Sequence, residues 1–137
     1  MDAILIIGRT LFALIFINSG INHLTKLEAL TGYATYKKVP APKLAVVVSG
    51  VMILVGGLYV AFGVYADLGA LLIAIFLIPT ALIIHSFWKE SDPAAKQSTK
   101  TAFLKDISMA GAALIIFVLV GSGANFGPSV TSTFFNF

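Results

Sequence analysis

Four stretches of about twenty mostly apolar residues fill this chain, and an arginine lies inside the first. They run roughly Ala3–Leu24, Leu44–Gly63, Leu68–Trp88 and Phe103–Val120. At 1.5 Å of rise per residue, each is long enough to cross a hydrocarbon core of roughly 30 Å. The expectation is an all-α integral membrane four-helix bundle: one transmembrane domain over residues 1–137, with a polar and aromatic tail at 121–137. Arg9 sits about one and a half turns inside the first span. A charge at that depth is costly, so it marks a polar interior, a partner or a ligand.

Composition closes off other classes. Charged residues make up 11% of the chain, against about 25% in soluble domains. The net charge of +3 is carried by short loops and not by one basic face, which argues against nucleic acid as a partner. Cysteine is absent, so the chain brings no thiol–disulfide chemistry, thiolate metal site or iron–sulfur ligand. No metal site is expected. Met1-Asp2 supplies no basic n-region and Arg9 interrupts the apolar run, so the first span is read as retained.

The lysines set an orientation. Lys26, Lys37, Lys38 and Lys43 fall in or beside the connection between spans one and two; Lys89, Lys96, Lys100 and Lys105 fall in or beside that between spans three and four. The turn at Tyr65-Ala66-Asp67 and both termini carry no Lys or Arg. The positive-inside bias then puts both lysine loops in the cytoplasm and both termini outside.

Local punctuation supports these bounds. Val39-Pro40-Ala41-Pro42 resists helix continuation and launches span two. Leu27, Leu30 and Ala34 recur at helical spacing beside Tyr33 and Tyr36, which predicts a short interfacial helix. Ser49, Gly56 and Gly63 recur every seven residues in span two, with Gly50 and Gly57 beside the first two. Such a stripe is a helix-packing face. Pro79 removes the partner of the Ile75 carbonyl and predicts a kink in span three. Asp92 is placed to cap the segment after Pro93. The tail aromatics Phe134, Phe135 and Phe137 are expected on the membrane surface or on a partner.

At 100° per residue, Arg9, Ala13, Phe16, Gly20 and His23 share one face of span one. Asp67, Leu71, Ala74, Ile78, Ala81 and His85 share a face of span three; Asp106, Ala110 and Ala113 share one of span four. Topology gathers His23, His85, Lys105 and Asp106 at the cytoplasmic end and leaves Asp67 as the counter-charge nearest Arg9. Three uses stay open for Arg9: a structural role by snorkelling or pairing with Asp67, binding of an anionic lipid or partner, or contact with a functional ligand. His23 and His85 are either interfacial hydrogen-bonding residues or ligands of a quinone, a proton path, a metal or haem. Haem is disfavoured because both lie near helix ends, with little depth for a porphyrin. Asp106 reads either as a charge at a helix start or as a proton carrier.

Several segments together resemble the DoxX family of small four-helix membrane proteins. They are Gly8-Arg9, Phe16-Ile17-Asn18-Ser19-Gly20-Ile21-Asn22-His23-Leu24, Val39-Pro40-Ala41-Pro42, Gly56-Gly57 with Gly63, His85-Ser86-Phe87-Trp88 and Phe103-Leu104-Lys105-Asp106. Asp106 departs from the Asn that relatives often carry. The resemblance covers about Gly8 to Leu114. It implies a bacterial or archaeal cytoplasmic membrane and a link to quinone-coupled oxidoreductase assemblies, with Arg9, His23 and His85 as family-like polar positions. Distant relatives act as chaperones or cargo receptors.

Three functions follow as expectations. The first is an accessory or scaffold component of a larger energy-transducing or oxidoreductase complex, held by other membrane subunits. The second is a quinone-binding subunit, with donors to the ligand from His23, His85, Asn18 or Tyr59. The third, a small-solute carrier or membrane chaperone, ranks last because no span is broken by a Gly/Pro pair at mid-membrane.

Overall fold

Lipid offers backbone amides no partner, so each apolar stretch satisfies its own as a helix. The computed structural model describes residues 1–137. It contains α1 (Asp2–Thr25), α2 (Leu27–Tyr36), α3 (Pro42–Phe62), α4 (Ala66–Ile83), a 3₁₀ turn at Phe87–Lys89 and α5 (Pro93–Gly121), with no strands. Four helical segments are long and apolar enough to cross a membrane, and α2 is the short helix between the first two.

Two boundaries differ from the sequence expectation. α4 ends at Ile83, so His85 lies in the turn beyond it and not on its last turn. α5 begins at Pro93, ten residues ahead of the apolar run, because the Asp92 carboxylate caps it by accepting from the Ala95 amide at 2.9 Å. Hydropathy cannot see this polar start, which a cap and a proline at the first position launch. Asp106 is therefore inside a helix, about three and a half turns from its start, and its role as a helix-start charge is ruled out.

α1 packs on α3, α3 on α4, and α4 on α5, while α2 lies against α3. In lipid there is no hydrophobic drive between helices, so close backbone approach has to supply the attraction. A Cβ on Gly20 would sit 2.7 Å from Leu54 Cβ and 2.9 Å from the Gly50 carbonyl oxygen. On the other seam, a Cβ on Gly56 would stand 2.9 Å from the carbonyl oxygen of Gly69. Gly57 faces Ala13 and Ile17 of α1. Ser49 is turned toward His23, with which it shares a hydrogen bond. Gly63 departs from the packing stripe: its left-handed conformation (φ 65°) ends α3, and its carbonyl accepts the amides of Val130 and Thr131.

Phe16, Ile53, Ile73 and Leu77 fill the centre, with Ala70, Ala74, Ala110 and Ala113 letting α4 and α5 close up. The buried face of α4 is rotated from the expected one, toward Ala70, Ile73 and Leu77, leaving Ile78 at 42% exposure. Ile4, Leu11, Leu14, Ile115 and Leu119 point outward, as a lipid-facing surface requires.

Residues 122–137 fold back over the end of the bundle that holds both termini. Phe134 and Phe137 nonetheless keep more than half of their surface exposed. The Phe137 amide donates to the Gly121 carbonyl at 3.1 Å, and the Tyr65 amide donates to Thr131 Oγ1 at 2.8 Å. Phe135 and Phe137 pack edge-on to Phe117, with centroids 5.4 and 5.2 Å away, while Phe134 packs edge-on to Tyr65.

Candidate functional site

The charged residues divide between the two ends of the bundle. At the tail end, Arg9 is 7% exposed and Asp67 fully buried, yet they form no ion pair. Arg9 donates through Nη1 to the Phe126 carbonyl at 3.0 Å and through Nη2 to the Pro128 carbonyl, and its guanidinium lies 5.7 Å from the Phe126 ring centroid. The Asp67 carboxylate accepts the amide of Phe134 at 2.9 Å and that of Phe135 at 2.6 Å. Each charge thus grips a different stretch of tail backbone. Pairing of Arg9 with Asp67 is replaced by two separate clasps, because tail amides and carbonyls reach both groups first.

At the lysine end the helices leave a cavity of about 640 Å³. Its walls are mostly apolar: Phe16 of α1, Met52 of α3, Phe76 and Leu77 of α4, and Met109 of α5, with Leu30 and Tyr33 of α2 lying across it. Ile75 and Pro79 both line it and are exposed on the flank of α4, so the cavity reaches the lipid-facing surface. Pro79 has no N–H for the Ile75 carbonyl, which is left without its α-helical partner at this wall. Thr80 cannot replace it, since its hydroxyl is used on the Phe76 carbonyl at 2.8 Å.

Polar groups converge from two sides. His85 and Asp106 come together, with Nδ1 2.6 Å from Asp106 Oδ2. The turn after α4 delivers the imidazole; the fourth turn of α5 delivers the carboxylate, which is only 10% exposed. His23, on the inward face of α1, holds Nδ1 3.2 Å from the Val46 carbonyl and 3.1 Å from Ser49 Oγ. The Ser49 hydroxyl itself donates to the Val46 carbonyl at 3.2 Å. The His23 ring stands edge-on to Phe76 with centroids 5.9 Å apart. Lys105, expected in this cluster, is exposed on α5 instead. Arg9 belongs to the other end.

Ser49 and Thr80 belong to the cavity wall although no site reading singled them out. Ser49 was legible only as a small packing residue; its position opposite His23 depends on the α1–α3 register. Across the molecule no three His, Asp or Glu residues gather as a metal site would require. The arrangement suits a ring-bearing lipophilic molecule with polar oxygen substituents: apolar walls bury the ring and a few fixed polar groups orient it.

Fold and site together define a four-span membrane bundle with an apolar cavity at one end that opens beside Ile75 and Pro79. The chain belongs to the DoxX family, whose pattern matches residues 4–86, more than half of it. It is similar to the inner membrane protein YphA of Escherichia coli K12, with 28% identity over 121 residues, covering 88% of this chain and 85% of the relative. No solved structure shows significant similarity.

Proposed function

We propose that this protein is an accessory subunit of a membrane oxidoreductase assembly and that its lysine-end cavity binds a quinone-class ring. The observation that carries the reading is the cavity of about 640 Å³ with imidazoles on two walls. That volume falls within the roughly 300–1,000 Å³ typical of small-molecule sites. The opening beside Ile75 and Pro79 suits a ligand that is dissolved in the bilayer. The E. coli relative's description as an inner membrane protein supports a cytoplasmic membrane for this chain. The lysine loops then face the cytoplasm by the positive-inside bias, with both termini outside. Single cysteines at Gln97 and Ser132 test this orientation: they label from opposite sides, and same-side labelling overturns it.

The ligand reading is tested by purifying the protein in mild detergent with its partners and measuring complex yield and extracted quinone together. His85→Phe keeps roughly the ring volume but removes the polar contact. Bound quinone falls while complex yield stays near that of the parent. Equal quinone in both preparations removes His85 from the site and leaves assembly alone as the function.

A further inference from the structure

We infer that the cavity selects the reduced, dihydroxy form of its ring ligand over the oxidised dicarbonyl form, because both histidines are fixed as hydrogen-bond acceptors. The inference rests on the reading of the cavity as a ligand site and adds which oxidation state it holds. A neutral imidazole carries one N–H and one lone pair, and the partner of one nitrogen decides the state of the other. At His85 the partner of Nδ1 is the Asp106 carboxylate, which only accepts when ionised. Nδ1 must therefore carry the proton, which leaves the lone pair on Nε2. At His23 the partners of Nδ1 are a backbone carbonyl, which only accepts, and the Ser49 oxygen, whose own proton is directed to that same carbonyl. Again Nδ1 carries the proton and Nε2 the lone pair.

Neither Nε2 has a protein partner or is fully buried, and both residues line the cavity wall. The Ile75 carbonyl at the Pro79 break also lacks its α-helical partner, and Ile75 borders the cavity. Two acceptors lining an apolar cavity are complementary to hydroxyl donors. A carbonyl oxygen placed against them would meet lone pairs and lose its hydrogen bonds to water without replacement. This inverts the sequence-based expectation that the histidines donate to quinone carbonyls. The discriminating imidazoles are held by Asp106 and Val46, which also line the cavity.

The test uses the full chain in lipid nanodiscs at about pH 8, above the ordinary imidazole range. Binding of decylubiquinol under anaerobic reducing conditions is compared with binding of decylubiquinone. The quinol binds at least about tenfold more tightly, the size of one or two hydrogen bonds gained against lost. In Asp106→Asn the amide offers both a donor and an acceptor to Nδ1, so the tautomer is no longer fixed and the preference shrinks several-fold. A measurement independent of that variant's folding is ¹⁵N NMR of histidine-labelled parent protein, which shows both rings as the Nδ1–H tautomer. Equal or tighter binding of the quinone, or an Nε2–H tautomer at either ring, overturns the preference and leaves the cavity as a quinone site. Binding of neither form removes the ligand reading and this inference with it.

Discussion

The two ends of this bundle bury the same kinds of side chain for opposite purposes. At the tail end, Arg9 and Asp67 turn their charged atoms on the chain's own backbone, gripping Phe126 and Pro128 on one side and Phe134 and Phe135 on the other. Both groups are held by backbone of the tail, although Arg9 Nε is buried without a partner. At the lysine end, His23 and His85 each give Nδ1 to the protein, leave Nε2 without a protein partner and line a cavity. The tail-end charges bond to the chain's own backbone and hold structure, whereas the imidazoles line open space with one ring nitrogen unbonded. The packing follows the same division, since the Gly56–Gly69 approach brings α3 and α4 together nearer the tail end, while Ser49, Met52 and Thr80 line open space farther along the same seam.

The comparison breaks most readily at Asp67. Asp67→Ala leaves two tail amides without an acceptor in a fully buried place, at a cost of about 3–5 kcal/mol. The tail is released, and the midpoint of heat-induced loss of folded protein in detergent falls accordingly. A tail that stays protected from protease in this variant would mean that its aromatic packing, not the clasp, holds it. Gly20→Ala comes next, at about 2 kcal/mol, since the new methyl meets backbone atoms of α3 that cannot rotate away. Unchanged stability there would show that the α1–α3 seam has slack.

Arg9→Lys is smaller, about 1–2 kcal/mol, because a single ammonium cannot reproduce the planar fork that reaches two carbonyls. A Lys variant that assembles and resists heat like the parent would reduce the Arg9 clasp to a simple charge. His85→Phe costs about 1 kcal/mol by the same measurement, at the low end for a carboxylate that loses its partner because Asp106 borders the open cavity, and it removes the proposed ligand contact. If it destabilises as much as Asp67→Ala, the lysine end is structural and the contrast between the ends fails.

Much of this is legible in the amino-acid sequence. Arg9 and Asp67 stand out as charges in apolar spans, and the helical period alone puts Arg9, Ala13, Phe16 and Gly20 on one face, the four residues of α1 that are buried. The meeting of His85 and Asp106 at one end follows from span direction. What could not be read was the partner of each group. Arg9 bonds to carbonyls 117 and 119 residues away. Backbone acceptors have no signature in a sequence, so the only visible counter-charge was Asp67. Gly63 likewise reads as one more small residue in a stripe until its positive φ shows it ending a helix.

The sequence by itself determined the number of spans and the inward face of α1, because the bilayer makes hydropathy and the helical period nearly sufficient there, whereas the ends of α4 and α5 and the buried face of α4 were set by a cap and by packing. It also marked which residues were too polar to face lipid. Only the tertiary structure decided what those residues do, because hydrogen bonds depend on ångström-scale placement of groups from different helices. The end of α4 at Ile83 and the early start of α5 at Pro93 bring His85 against Asp106. The register of α1 on α3 brings His23 against Val46 and Ser49. Those two placements settle which nitrogen of each imidazole is spent inside the protein, a property no spacing of residues along the chain encodes.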